Sequence, residues 1–290
     1  MAHAAKSYAY AEHLTKREAT NFYYAFRLLP PQRRNSIYAV YAFSRRADDA
    51  VDSTEDERGS KEDAEAKLEQ LRALLRGETP GDPLDACLRD TIERFGIPPE
   101  YFDDLLRGME MDLLNQRYRT FDELYEYCYR AASAVGLICI EIFGYREEAA
   151  RKYAEALGIA MQLTNILRDI REDMMRGRIY LPGEDLERFD YSEEELSRNE
   201  LTPAFRSLME FQVGRARDYF HRAEPLFPLI DVEARFCPLL LKRLYSMILD
   251  KIESRHYDVF SRRPAISRFQ KTRMLLAAGR EARKARRSAP

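Results

Sequence analysis

The chain has 290 residues, 45% of them hydrophobic, and a formal net charge of -2, a balance that suits a globular protein with a sizeable core and excludes a disordered or fibrous chain. Its longest apolar run, Ala134 to Phe143, is interrupted by Glu141 and falls short of the roughly 18 apolar residues that suggest a membrane span. Cys87, Cys128, Cys139 and Cys237 form no CxxC pair or disulfide framework, and the N-terminal stretch lacks the apolar core of a secretory signal, so a cytoplasmic protein is expected.

Helical periodicity runs almost throughout and no useful alternating strand pattern occurs, which predicts an all-α protein forming a single domain over 1–290. Helices are expected at 19–29, 33–53, 61–76, 83–95, 99–113, 121–143, 147–175, 203–224, 233–254 and 266–286. Thr120 with Glu123 and Ser192 with Glu195 read as capping boxes, Pro98-Pro99 suits a first turn, and Thr202-Pro203 sets a cap before a helix-entry proline. The acidic stretch "DSTEDERGSKEDAE" after Val51 reads as a surface loop, and 183–200 as acidic and irregular. From Arg262 onward, ten Lys or Arg residues face one acid, Glu281, a local charge of +9. Such a tail is either a solvated helix end or a patch that meets an anionic membrane at its periphery. Nucleic acid is not expected, because no recognition motif accompanies the basic residues.

Two of these helices carry acids where apolar residues dominate. In "QLTNILRDIREDMMRGRIYLP" (162–182), Gln162, Asn165, Asp169 and Asp173 share one helical face, flanked by Ile159, Leu163, Ile166, Leu167 and Ile170. In "NSIYAVYAFSRRADDAVD", Tyr41, Arg45, Asp48 and Asp52 form a second face built alike. Taken singly, each is compatible with a solvated surface bearing weak ion pairs. Both lie in apolar helices, and like charges four residues apart repel, so positive charge is expected between them.

Carboxylates and an amide oxygen are hard ligands suited to Mg²⁺, which is commonly shared with substrate phosphates. Arg45, Arg168, Arg171, Arg176 and Arg178 could meet phosphate oxygens, although Arg171, two residues from Asp169, points to another side. Zinc is disfavoured because His3, His13, His221 and His256 are scattered. A di-iron centre is disfavoured because Glu253 and His256 make the only Glu-x-x-His, where such sites use two.

With "FYYAFRLLP" (22–30), "YAFSRRADDAVD" (41–52), "GMEMDL" (108–113), "YCYRAASAVG" (127–136) and "QLTNILRDIREDMMRGRIYLP", the sequence resembles the squalene and phytoene synthase family of the isoprenoid synthase fold. Within it, "YRAASAVGLICIEIFGY" is most similar to bacterial presqualene diphosphate synthases of hopanoid biosynthesis. The resemblance implies helices around a central hydrophobic channel. It implies Mg²⁺ ligands at Asp48 and Asp52 on one wall and at Asn165, Asp169 and Asp173 on the other. It further implies diphosphate contacts from Arg45, Gln162, Arg178, Tyr245 and Arg263, reacting carbons near Tyr41 and Tyr129, and a channel lined by Phe22 and Phe26. Asp49 would turn away.

The reaction so implied joins two farnesyl diphosphates to presqualene diphosphate, with an allylic cation held against aromatic faces and water kept out. Tyr129 or released diphosphate would take the proton, and NADPH is not expected. The alternatives are a phytoene synthase using two geranylgeranyl diphosphates, a squalene or dehydrosqualene synthase, and a non-catalytic helical assembly factor. The chain departs from the family pattern at "EATNFYY", where many relatives carry Ser or His, and at Arg130, where eukaryotic squalene synthases have a tyrosine.

Overall fold

The protein is described by a computed structural model covering residues 2–19, 22–52, 60–114 and 117–288. Its helices are α1 (Ala2–Glu18), α2 (Phe22–Phe26), α3 (Pro31–Asp52), α4 (Lys61–Leu75), α5 (Asp85–Phe95), α6 (Pro99–Leu114), α7 (Phe121–Cys128) and α8 (Ala134–Phe143). A π-helical segment, Tyr129–Ser133, joins the last two. There follow α9 (Ala149–Met175), α10 (Gly183–Arg188), α11 (Glu193–Ser197), α12 (Pro203–Arg222), α13 (Leu226–Leu229), α14 (Phe236–Ser254) and α15 (Arg268–Ser288). Among the described residues there is no strand, only two isolated bridges, Arg117 with Ile179 and Tyr145 with Ile230. The fold is all-α, as the periodicity requires.

Helix α9 is the central element and packs against α8, α12, α14 and the π-helical segment. Its residues are buried without a break from Ala156 to Ala160 and then at Leu163, Thr164, Ile166, Leu167 and Ile170, so the helix is enclosed all round at its middle and keeps a one-sided apolar stripe toward its C-terminal end. It stops where Gly177 takes a left-handed conformation (φ 75°), which returns Arg178 beneath Asp173 through a 2.9 Å backbone bond to the Asp173 carbonyl. Asp169 and Asp173 therefore sit on its last two turns.

Local signals hold at most of the expected helix starts. Ser192 and Glu195 form a complete capping box and Thr202 caps α12 through the Phe205 N–H at 3.1 Å. At Thr120 only half of the box forms, because Glu123 accepts from the Arg119 N–H at 2.7 Å instead. The acidic surface stretch lies outside the described residues over 53–59, and from Ser60 it becomes the cap of α4.

Several regions differ from the sequence reading, α1 and 183–200 most of all. The first helix, α1, leaves little trace in the apolar pattern, because Leu14 is the one large apolar residue on its buried edge of Ser7, Ala11, Leu14 and Thr15. It docks on α3 and α5 by fitting that edge closely: Ser7 Oγ donates to the Pro83 carbonyl at 2.6 Å and accepts the Cys87 N–H at 3.0 Å. The stretch 183–200 is also not irregular. It forms α10 and α11, anchored by buried Asp185, which accepts from Gln212 (2.9 Å) and Arg215 (2.6 Å).

Candidate active site

Helices α2, α3, α6, α8, α9 and α14 enclose a cavity of about 610 Å³. Arg45, Asp48, Asp112, Gln162, Asn165, Arg168 and Arg263 make one end polar, and the remaining walls are apolar. Along α9 the lining runs from Arg168 back to Ala154, roughly 21 Å at the rise of an α-helix. The same gradient runs along α3 from Asp48 to Ile37 and along α14 from Tyr245 to Pro238.

The expected residues Phe22, Phe26, Tyr41, Arg45, Asp48, Gln162, Asn165, Tyr245 and Arg263 all line this cavity. The Phe22 ring lies 6.1 Å from Phe26, 6.4 Å from Tyr41 and 6.3 Å from Tyr245, so π-faces collect beside the polar end. Burial pushes the Tyr41 hydroxyl up to about 12 against the pull of Arg45, which keeps it protonated at neutral pH.

Asp52, Asp169 and Asp173 lie beyond the lining itself. Asp52 follows Asp48 by one turn of α3. Asp169 is bracketed by Arg168 Nε at 2.7 Å and by both Arg263 Nε (2.6 Å) and Nη2 (2.9 Å). Its burial would raise the carboxyl, but these bonds hold it below the usual carboxylate range. Asp173 lines a small void behind the cavity with Arg178 and Tyr180. Burial and the nearby charge of Asp52 push Asp48 up to about 7, and burial with Asp169 does the same to Asp173.

Two expected roles are corrected by position. Tyr129 does not line the cavity; it lies among Asp104, Glu155 and Tyr101, because it is two residues from Tyr127 and a helix turns it to the other side. Tyr127 is the tyrosine that faces in, donating to Asp112 at 3.2 Å and accepting from Gln162 Nε2 at 3.4 Å. Arg178 is buried behind the acids, with Nη2 on the Asp112 carbonyl at 3.3 Å, where it neutralises Asp112 and Asp173 instead of facing the cavity. Arg171 donates to the Phe260 carbonyl at 2.6 Å and Asp49 pairs with Arg45 at 2.6 Å. Glu253 pairs with Arg217, and His256 lies past the end of α14 at φ 52°, so no Glu-x-x-His metal pair forms.

Sequence reasoning missed Asp112. On α6 it accepts from Tyr127 and, at 2.8 Å, from the Tyr180 hydroxyl. Burial, opposed by Arg178 and these bonds, raises its carboxyl to about 6. Its charge also raises Asp48 and Asp173, so it connects the two acidic helices electrostatically. The signal was present in Leu105, Met109 and Asp112, all lining the cavity at i, i+4 and i+7, but a lone acid does not form the paired spacing seen in the other helices.

Buried atoms without partners indicate what the polar end can accept. Asn165 Oδ1 has no hydrogen-bond donor and Arg45 Nε has no acceptor, an unusual condition for buried polar groups. The first suits a cation and the second an anion, and the two side chains share one cavity. Among the described residues, no three His, Cys, Asp or Glu side chains converge closely enough to hold a metal by themselves. An ion here would complete its shell with ligand and water oxygens, as Mg²⁺ does.

Residues 15–270 match the family model for squalene/phytoene synthase. The chain is 39% identical to 15-cis-phytoene synthase of Synechococcus elongatus, with 93% of this chain aligned to 92% of that one. It is 40% identical to 15-cis-phytoene synthase of a Synechocystis strain, over 89% of this chain and 80% of that one. Among solved structures, a dehydrosqualene synthase superposes with a TM-score of 0.86 at 33% identity, covering 97% of this chain and 98% of that one. Squalene synthase HpnC from Alicyclobacillus acidocaldarius gives 0.80 at 26% identity over 89% and 97%. With the paired acidic helices facing one apolar cavity, these matches establish that the chain belongs to the squalene/phytoene synthase family of prenyltransferases.

Proposed function

We propose that the protein joins two geranylgeranyl diphosphates head to head, releasing diphosphate and leading to phytoene. The observation that carries this reading is one cavity that unites an ion-receptive polar end with apolar walls, its lining running roughly 21 Å along α9 from Arg168 to Ala154. The apolar walls leave room for an isoprenoid tail beyond the polar end, and the relatives named 15-cis-phytoene synthase support the four-isoprene substrate. The likeness to a dehydrosqualene synthase favours a second reading, condensation of two farnesyl diphosphates to presqualene diphosphate.

The residues act in a consistent order. Arg45, Arg168 and Arg263 meet the diphosphate at the polar end, where Arg45 Nε is ready to donate. Asp48, Asp52, Asn165, Asp169 and Asp173 would hold Mg²⁺, with Asp112 beside them. When bound, that ion neutralises charge on the departing diphosphate. Phe22, Phe26, Tyr41 and Tyr245 place π-faces where allylic positive charge develops. The apolar walls exclude water from that centre. In the first coupling, carbon–carbon bonds form between the two chains, one diphosphate leaves, and a proton passes to that diphosphate or to a cavity base.

Equimolar C15 and C20 allylic diphosphates should be offered together with Mg²⁺ and without NADPH, and the products weighed by mass spectrometry. A predominant C40 product is expected. A predominant C30 product would return the chain length to the farnesyl reading, and neither product would remove the coupling activity itself.

A further inference from the structure

Helix α15 packs along α14, and its docking fixes which side faces out. Inward lie Ala278 and Ala282, 1% and 4% exposed. Arg243 of α14 holds Glu281, the one acid of α15, at 3.0 Å on the flank. Outward lie Phe269, Arg273, Leu276, Arg280 and Arg283, all exposed, and their spacing of four, three, four and three residues draws a single stripe. Phe269 and Leu276 are 76% and 57% exposed, and the three arginines between and beyond them make no ion pair among the described residues.

A purely solvated helix face gains nothing from a phenylalanine and a leucine set seven residues apart among cations. An interfacial helix needs that pattern: apolar side chains enter the acyl boundary and guanidinium groups meet lipid phosphates. Tyr24 of α2, 51% exposed, adds a residue type that favours the water–lipid boundary. The turn after α2 brings Leu28 to 3.9 Å from where a Cβ on Gly279 would lie, so this turn adjoins α15. Arg263, five residues before α15, lines the polar end of the cavity and pairs with Asp169. The stripe therefore begins six residues along the chain from a residue of the site that would handle isoprenoid diphosphates.

We propose that this stripe seats α15 in the surface of an anionic bilayer. The inference goes beyond the proposed reaction, and its test contains no substrate, so its outcome is independent of turnover. The full chain is floated with vesicles of phosphatidylcholine alone or mixed with phosphatidylglycerol. Binding is expected only to the anionic vesicles, and added salt should weaken it. Two double variants, R273E/R280E and F269S/L276S, should each lower binding by about tenfold or more, while R273K/R280K retains it. Unchanged circular dichroism melts would show that the fold survives, since all four side chains are exposed. The proposal is overturned if the wild type ignores anionic vesicles, binds neutral ones equally, or loses nothing in the double variants. Binding to a DNA duplex through the same arginines, without vesicle binding, would also overturn it.

Discussion

Asp169 is held ionised by two guanidinium groups, whereas Asp48 and Asp173 are pushed up to about 7. A carboxyl raised on folding contributes stability that is complete below its unfolded value and is lost as pH rises through the folded one. Metal-free protein should accordingly melt at lower temperature at pH 8 than at pH 6. Asp48→Asn should reduce that difference and raise the pH 8 melting temperature while abolishing turnover, a trade of function for stability. A lower melting temperature for this variant at pH 8 would oppose the account. Asp112 has a structural task as well, since Tyr127 and Tyr180 both donate to it. Asp112→Ala should cost about 2 kcal/mol in denaturant titrations, from two hydroxyls losing their acceptor. At this scale the sequence was legible wherever two polar residues kept helical spacing, as in Asp48 with Arg45 or Asn165 with Asp169. Tyr127 and Asp112 were harder to read, because a tyrosine two positions away looks equivalent in a motif and a lone acid has no partner to mark its face.

The π-helical segment shows how an element shapes the cavity. The sequence reads 121–143 as one helix, but the chain widens at Tyr129–Ser133, where Ala131 lines the cavity. Glycines bring the neighbouring helices against it. A Cβ on Gly108 of α6 would lie 2.8 Å from the Ala131 nitrogen, and one on Gly158 of α9 would lie 2.5 Å from Ser133 Cα. Both contacts are with backbone, so neither can be relieved by a rotamer change. Gly158→Ala should therefore destabilise the fold by about 2 kcal/mol or more and distort the cavity wall. An unchanged melting temperature would show that α9 can shift freely. Helix α1 teaches the same lesson from the other side: apolar periodicity finds large side chains, while contacts built from serine, alanine and glycine leave little trace in the pattern.

Across the whole molecule, the acidic helices α3 and α9 contribute to one end of a cavity whose depth is set by α8, α9 and α14. The polar end is legible in the two motifs themselves, because carboxylates in apolar helices require a counter-charge. Depth is not legible there, since it depends on where Ala154, Phe143 and Pro238 from three different helices line the wall. The charge of +9 from Arg262 onward is visible as composition, but its division into a docked side and an exposed stripe comes only from the packing of α15. In the proposed reaction this cavity couples two prenyl diphosphates at the shared acidic end. It is tested most directly by the mass of the product formed from geranylgeranyl diphosphate and Mg²⁺ by the wild-type chain and by Asp169→Ala. A C40 product is expected from the wild type and none from a folded Asp169→Ala variant. A wild type that releases diphosphate yet yields nothing longer than C20, or an Asp169→Ala variant that still couples, would contradict it.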